Sequence, residues 1–233
     1  GLIREWLGSQ GCEGRLLGLH FARDLCQNLG EQASAVWPVF MDAVLQALSS
    51  DDTDERQVAA YAVNLAARTA AFGAQYASRA YVALGKSLQQ FKAKKNDDTA
   101  QRASDSTTAA LVQLCLSHPA ASPDLEACWK AAFERLPLKL DVEEGQRLHR
   151  RLFTEAQLPG GGALGGMARV AQALGYLCEI YGRSEHCDDE LQADIAAAFA
   201  RLPQETLQGL RAQLSAKQQK KLERILQDGQ NLA

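Results

Sequence analysis

The chain has 233 residues, 46% of them hydrophobic and 23% charged, enough apolar side chain for a packed core and too much for a disordered tail. Its 25 Lys and Arg stand against 28 Asp and Glu, for a net charge of -3. That balance lacks the basic excess of a dedicated nucleic-acid binder, and no apolar run approaches the roughly 18 residues of a membrane-spanning helix.

The elements, in chain order, read as helices. Ala, Leu, Gln, Glu, Lys and Arg dominate, and the alternating Val, Ile and Thr runs of strands are missing. Gly1-Leu2-Ile3 enters an apolar pattern directly and without Met, which reads as a piece cut from something longer. Gly30 to Ala33 closes the first helical stretch. Val36, Val39, Phe40, Val44 and Leu48 recur at spacings of three and four, one face of an amphipathic helix. Ser49 to Asp54 is an acidic loop rich in capping residues. Val58, Tyr61, Ala62, Leu65 and Thr69 form the next apolar face, and Gly73 is predicted to end that helix. Lys94-Lys95-Asn96-Asp97-Asp98 is a charged, solvated loop, and Leu111, Leu114 and Cys115 belong to the helix beyond it. Ser117 to Pro123 is a turn. Pro159-Gly160-Gly161-Gly162 is the strongest break, followed by the helical pattern Met167, Val170, Ala171, Leu174, Leu177 and Cys178. Pro203 opens the last section, where Ser215 with Gln218 and Gln219 resembles a capping box. About eleven helices are expected.

Chemistry is hard to place on these helices. The six cysteines form no CxxC pair and read as reduced core thiols of a cytosolic or nuclear protein. His186-Cys187 with Cys178 and Asp188 lacks the four convergent ligands of a zinc site, and no metal or other cofactor is expected. Asp51 to Glu55 lacks the mid-loop Gly and spaced Glu of a calcium loop, so helix capping explains it better. The run Gly160 to Gly166 lacks the Gly-Lys-Ser/Thr and preceding strand of a phosphate loop. No Ser/His/Asp or Cys/His arrangement and no Gly-x-Ser-x-Gly turn stands out, so the chain is not expected to be an enzyme. Trp6, Trp37 and Trp129 lie on helices as core residues.

Paired amphipathic helices raise the question of repeats. The second helices of successive pairs align at Arg15, Arg56, Ser106, Glu144 and, more weakly, Glu190. Their offsets of 41, 50, 38 and 46 average about 44, inside the window of roughly 40 to 47 for HEAT-type units. The long step carries the charged stretch Lys92 to Gln101. The predicted fold is an all-α superhelix, a HEAT/armadillo-like solenoid of about five helix pairs plus a closing pair. It is read as one continuous domain over 1–233, with approximate repeats 1–30, 33–73, 75–118, 123–158 and 163–202 and closing helices at 203–229.

Four segments in order carry a family resemblance. Arg56-Gln57-Val58-Ala59-Ala60-Tyr61-Ala62, after Asp51-Asp52-Thr53-Asp54-Glu55, resembles the inner helix of a late HEAT repeat in importin-β-family karyopherins, closest to the importin β3 group. Arg15, Gly18, Phe21 and Asp24 resemble that group's Arg-x-x-Gly-x-x-Phe-x-x-Asp-like pattern. Leu136-Pro137-Leu138 with Asp141, Glu143 and Glu144 resembles its Leu-Pro-Leu turn and acidic continuation. Ala212-Gln213-Leu214-Ser215 with Gln218-Gln219 and Ile225-Leu226 is similar to its terminal helices. The resemblance implies the C-terminal part of a nuclear transport receptor that shuttles between cytoplasm and nucleus. Its partners would be cargo proteins with import signals and Phe-Gly nucleoporins, with Ran-GTP bound mainly through N-terminal repeats outside this chain. Neither nucleic acid nor a membrane is an expected partner. A HEAT-repeat scaffold subunit of a multiprotein complex is the alternative.

The candidate partner-binding residues are those at matched positions on the inner helices: Arg15, Arg56, Asp105, Ser106 and Glu144, with the basic cluster Arg147, Arg150 and Arg151. Spacings of three and four place the three arginines on one helix face, with His149 beside them. Where the resembled group tends to carry Asp-Asn, this chain has Asp105-Ser106, and a serine cannot make a two-pronged amide contact to a peptide backbone. The competing reading of the arginines is internal: each bridges to an acidic loop next door. Glu143 and Glu144 are the expected partners of the basic cluster.

Overall fold

The computed structural model describes residues 1–92 and 96–232, so Lys94 and Lys95 of the predicted charged loop lie outside the described residues. The protein is all-α, with no strand among the described residues. It divides into two compact units, Gly1–Asp141 and Val142–Ala233. The first holds α1 (Leu2–Leu7), α2 (Cys12–Leu29), α3 (Trp37–Ala47), α4 (Thr53–Ala66), α5 (Ala70–Gln75), α6 (Ala77–Gln90), α7 (Asp98–Ser117) and α8 (Leu125–Phe133). The second holds α9 (Val142–Gln157), α10 (Met167–Ile180), α11 (Asp189–Ala200), α12 (Gln204–Gln213) and α13 (Ala216–Leu232).

Helix starts follow the capping chemistry of the sequence. The Asp52 carboxylate accepts from the N–H groups of Asp54 and Glu55 at 2.9 and 3.0 Å, opening α4. Asp97, Asp124 and Asp188 do the same for α7, α8 and α11 through Ala100, Ala127 and Leu191. Each such cap stabilises its helix by about 1 kcal/mol. The expected capping box is present: Ser215 N–H donates to Gln218 Oε1 at 2.9 Å, and Gln218 N–H returns to Ser215 Oγ at 3.4 Å.

Two six-residue helices, α1 and α5, exceed the expected set, because helices this short leave little periodic signal. Gly73 does not end a helix. The chain leaves α4 after Ala66, and Gly73 lies inside α5, where a Cβ would stand 2.7 Å from His118 Nδ1. The glycine admits the His118 ring, whose Nε2 donates to Ala67 O at 2.9 Å.

In the first unit α4 packs between α2 and α7. Small residues allow the close approach, among them Ala59, Ala60, Ala62 and Ala66 on α4 and Ala103, Ala109 and Ala110 on α7, all buried. Trp37 anchors the α3 side of the core, edge-on to Phe72 at 5.6 Å and to Tyr76 at 5.9 Å. Trp129 is also fully buried, whereas Trp6 is half-buried against Phe21. In the second unit α10 packs on α9, α12 and α13, and α11 packs on α13. Long-range polar contacts recur at similar sequence separations. Arg15 to Glu55 spans 40 residues, Arg79 to Asp42 spans 37, and Arg150 to Asp188 spans 38.

The glycine run closes around a side chain of the protein itself. Residues Pro159–Leu164 form a 3-10 turn in which Gly160, Gly161 and Gly162 have φ of 67, 84 and 50°. The Glu155 carboxylate sits inside, accepting from Ala163 N–H at 2.7 Å and pairing with Arg151 at 2.7 Å.

One packing prediction follows from α13. Leu222, Ile225 and Gly229 share its buried face. A Cβ on Gly229 would fall against the carbonyl oxygen of Ala196 on α11 and 2.9 Å from Ala200 Cβ. Gly209, inside α12, has open space around the same position. Replacing an interior helical glycine by alanine ordinarily gains up to about 1 kcal/mol. Gly209→Ala should therefore raise the thermal midpoint of the second unit, while Gly229→Ala should lower it through overpacking that costs about 2 kcal/mol. Far-UV circular dichroism melts of both variants check the opposite signs.

Candidate protein-interaction surface

Arg15, Arg56, Glu144 and Arg147 lie in the first two turns of their helices and Asp105, Ser106, Arg150 and Arg151 further along theirs, and the structure gives nearly all of them internal partners. Arg15, in the first turns of α2, donates from Nε to Glu55 Oε1 at 2.8 Å and from Nη1 to the carbonyls of Ser9 and Gln10. Glu55 is buried and also accepts from Ser50 Oγ at 2.7 Å. The adjacent helices α2 and α4 are thus tied at one end by a half-exposed arginine on a buried carboxylate.

Arg56 points elsewhere. Its Nη1 donates to the carbonyls of Ser50 and Asp51 at 2.7 and 3.0 Å, and Nη2 donates to Thr53 Oγ1 at 3.1 Å. The guanidinium lies 3.8 Å from the centre of the Phe91 ring, a cation–π contact. Burial pushes the Arg56 pKa down, against the opposing fields of Asp52, Asp51 and Asp97. The arginine thereby holds the capping loop before its own helix, and forms one wall of a cleft of about 230 Å³ whose other lining includes Ser87, Phe91, Lys92 and Asp97.

Asp105 and Ser106 are both buried in α7. The Asp105 Oδ2 accepts three backbone N–H groups, from Lys139 at 2.8 Å, Leu140 at 2.7 Å and Asp141 at 3.2 Å. Its Oδ1 accepts from Gln101 Nε2 at 2.8 Å. A carboxylate four residues from one donor and some 35 from the others fastens the segment 139–141 to the middle of α7.

On α9 the basic cluster divides. Glu144 is buried and pairs with Arg147, as expected. Arg150 and Arg151 do not pair with Glu143 or Glu144. Arg150 reaches forward to Asp188 at 3.0 Å, Glu190 at 3.3 Å and Asp194 at 3.8 Å, and Arg151 pairs with Glu155. Their charge is therefore largely met inside the second unit. His149 leaves the cluster altogether. It is fully buried, its Nδ1 donating to His186 O at 2.7 Å and its Nε2 accepting from the Tyr176 hydroxyl. Burial drives its pKa down to about 4.

Sequence reasoning found the arginines but missed the groups that hold them: Glu55, Asp188 and Phe91. The signal for two of them was present, since Glu55 stands three residues beyond the Asp52 cap and Asp188 caps α11. Phe91, just past α6, had no such signal. The first unit also carries a more open groove of about 590 Å³ between α3 and α6, lined by Asp42, Gln46, Ser49, Arg79, Val82 and Lys86. Arg79 and Asp42 pair across it at 2.7 Å, and Val82 is exposed. No group of three or more metal-ligating side chains forms a cluster among the described residues. No described helix is long and apolar enough to cross a membrane.

No protein-family model and no curated protein matches the sequence. Two crystal structures of engineered proteins from the Northeast Structural Genomics Consortium are similar in fold. One has a TM-score of 0.54 at 18% identity, over 98% of this chain and 97% of its own. The other has a TM-score of 0.53 at 15% identity, over 98% of this chain and 95% of its own. At these identities the likeness concerns the helical fold alone.

Proposed function

We propose that the chain is a HEAT-type array of helix pairs whose work is to bind other proteins, and that it serves as a segment of a nuclear transport receptor. The observation that carries the repeat reading is the recurrence of polar ties at separations of 37 to 40 residues, from Arg79 to Asp42, Arg150 to Asp188 and Arg15 to Glu55. Contacts one repeat apart are what a stack of similar units produces. The transport reading rests on the four ordered segments that resemble importin-β-family karyopherins. Partners would be proteins carrying import signals and Phe-Gly nucleoporins, with Ran-GTP acting through repeats outside this chain. The internal ties of Arg15, Arg56 and Arg150 give these residues the task of fixing repeat geometry, so partner contacts fall to exposed surface beside them.

The test is fluorescence anisotropy of a labelled Phe-Gly peptide and a labelled Lys-rich import peptide against the protein, at low salt and at about 0.15 M salt. Saturable Phe-Gly binding that persists at the higher salt is the expected result. Absence of Phe-Gly binding by protein with a native circular dichroism spectrum would overturn the transport reading in favour of a scaffold subunit. Import-peptide binding that vanishes with salt would reflect only an acidic field and counts against a cargo site in this segment.

A further inference from the structure

The cleft beside α4 contains a buried cation that lacks an ion pair. Arg56 is 5% exposed, and no carboxylate pairs with it among the described residues. Buried arginines are otherwise almost always paired. Three of its five N–H groups are engaged by Ser50 O, Asp51 O and Thr53 Oγ1, which leaves Nε and one Nη2 hydrogen with no acceptor among the described residues. The ring of Phe91 covers one face of the guanidinium and holds it in place.

The rest of the lining also offers donors. Ser87 is 4% exposed, and its hydroxyl lines the cleft without a hydrogen-bond partner among the described residues. Ser104, half-buried on α7, lines it in the same unpartnered state. Lys92 lines it too, is exposed, and makes no ion pair among the described residues. Both α4 and α7 begin at the cleft, at Thr53 and just after Asp97, and helix N-termini favour negative charge. Asp97 is the one carboxylate in the described lining, and its Oδ1 is engaged by Ala100 N–H as the cap of α7. Two cations against one carboxylate leave the lining with one positive charge in excess.

We propose that this cleft binds a single carboxylate, the side chain of an acidic residue on a partner protein, held by Arg56, Ser87 and Lys92. One excess positive charge matches a monoanion, whereas a phosphate dianion would reverse the sign beside Asp97. The cleft, at about 230 Å³, is smaller than the roughly 300 to 1,000 Å³ of small-molecule sites, so it admits one side chain rather than a cofactor. Leu88, Ala100 and Ala103 supply apolar wall for the methylenes of a glutamate. The protein source of the carboxylate rests on the reading of the chain as a protein-binding array.

The test is amide proton–nitrogen NMR of the labelled full chain at about 0.1 M salt. The probes are acetyl-Gly-Glu-Gly-amide, its Gln counterpart, sodium acetate and inorganic phosphate. Saturable shifts of the Ser87, Phe91, Lys92 and Ser104 signals are expected with the Glu peptide, about tenfold tighter than with the Gln peptide. Lys92→Gln and Ser87→Ala should each weaken Glu-peptide binding by about threefold to tenfold. Lys86→Gln, in the open groove between α3 and α6, should leave it unchanged. Arg56 stays in place in every variant, because removing it would also release the capping loop. Absence of saturable shifts, equal affinity for the two peptides, or unchanged affinity in both cleft variants would overturn the carboxylate site. Phosphate binding more tightly than the Glu peptide would overturn it in favour of a phosphate ligand. Acetate binding as tightly as the peptide would overturn the partner side chain as the source and leave the Phe-Gly result untouched.

Discussion

Asp105→Ala should cost the first unit about 3 to 4 kcal/mol with no partner present. The carboxylate accepts four hydrogen bonds, three of them from consecutive backbone N–H groups, and it is almost wholly buried. Bonds to an ionised acceptor are the stronger kind, contributing about 1.5 to 3 kcal/mol each, and alanine forfeits all four at once. Residues 139–141 are partly exposed, so water takes up some of the released donors and the loss stops well short of the sum. Asp105→Asn keeps the shape, but a single amide oxygen cannot serve both sets of donors. With that oxygen toward 139–141, its NH₂ faces the NH₂ of Gln101, whose Oε1 is already committed to Lys139 Nζ at 3.1 Å. About half the loss is expected there. Urea unfolding followed by tryptophan fluorescence isolates the effect, because Trp6, Trp37 and Trp129 all lie in the first unit. A midpoint within 1 kcal/mol of the parent for Asp105→Ala would show that the carboxylate does not hold the segment.

A polar residue matched at a regular interval can meet either of two demands, facing a partner or tying one helix to another. Sequence spacing cannot separate them, because both place the same residue types at the same interval. The helices themselves were legible. Their apolar faces at 36–48 and 167–178, the Asp caps and the Ser215 box all act within one helical turn, where the sequence carries the information directly. Gly73 was misread because its role depends on His118, 45 residues away, and a glycine that ends a helix looks the same as one that admits a ring. His149 was misread for a related reason. Three arginines beside it made a basic face conspicuous, but 100° per residue turns position 149 away from that face and into the core. The partners of Arg150 lie ahead on α11 and its cap, where only the folded chain brings them near, whereas Arg151 pairs with Glu155 one turn further along α9.

His149 also gives the second unit an acid limit. Its partners fix the neutral tautomer: a carbonyl can only accept, so Nδ1 carries the proton, and the bare Nε2 accepts from Tyr176. A second proton would place a charge in a site with no solvent and no adjacent carboxylate bonded to the ring, beside the buried His186. Burial is the main cause of the depressed pKa of about 4, and the His186 ring lowers it further, while the hydrogen bond to the His186 carbonyl pulls the other way. The unfolded chain binds its proton at the ordinary value of 6.5. Between these values the unfolded state holds more protons than the folded one, so stability is complete above about pH 6.5 and falls as the pH drops toward 4. The loss attributable to this residue reaches about 3 kcal/mol at pH 4. His149→Gln lacks the titration, so its stability should fall less over the same range, though it starts lower at pH 7. Carboxylates titrate in both proteins, and the difference between the two pH profiles cancels them. The readout is urea unfolding by far-UV circular dichroism at pH 7, 5.5 and 4.5, following the component that tryptophan fluorescence does not see. Parallel profiles for parent and variant would show that the ring accepts a proton in the folded state as readily as in water.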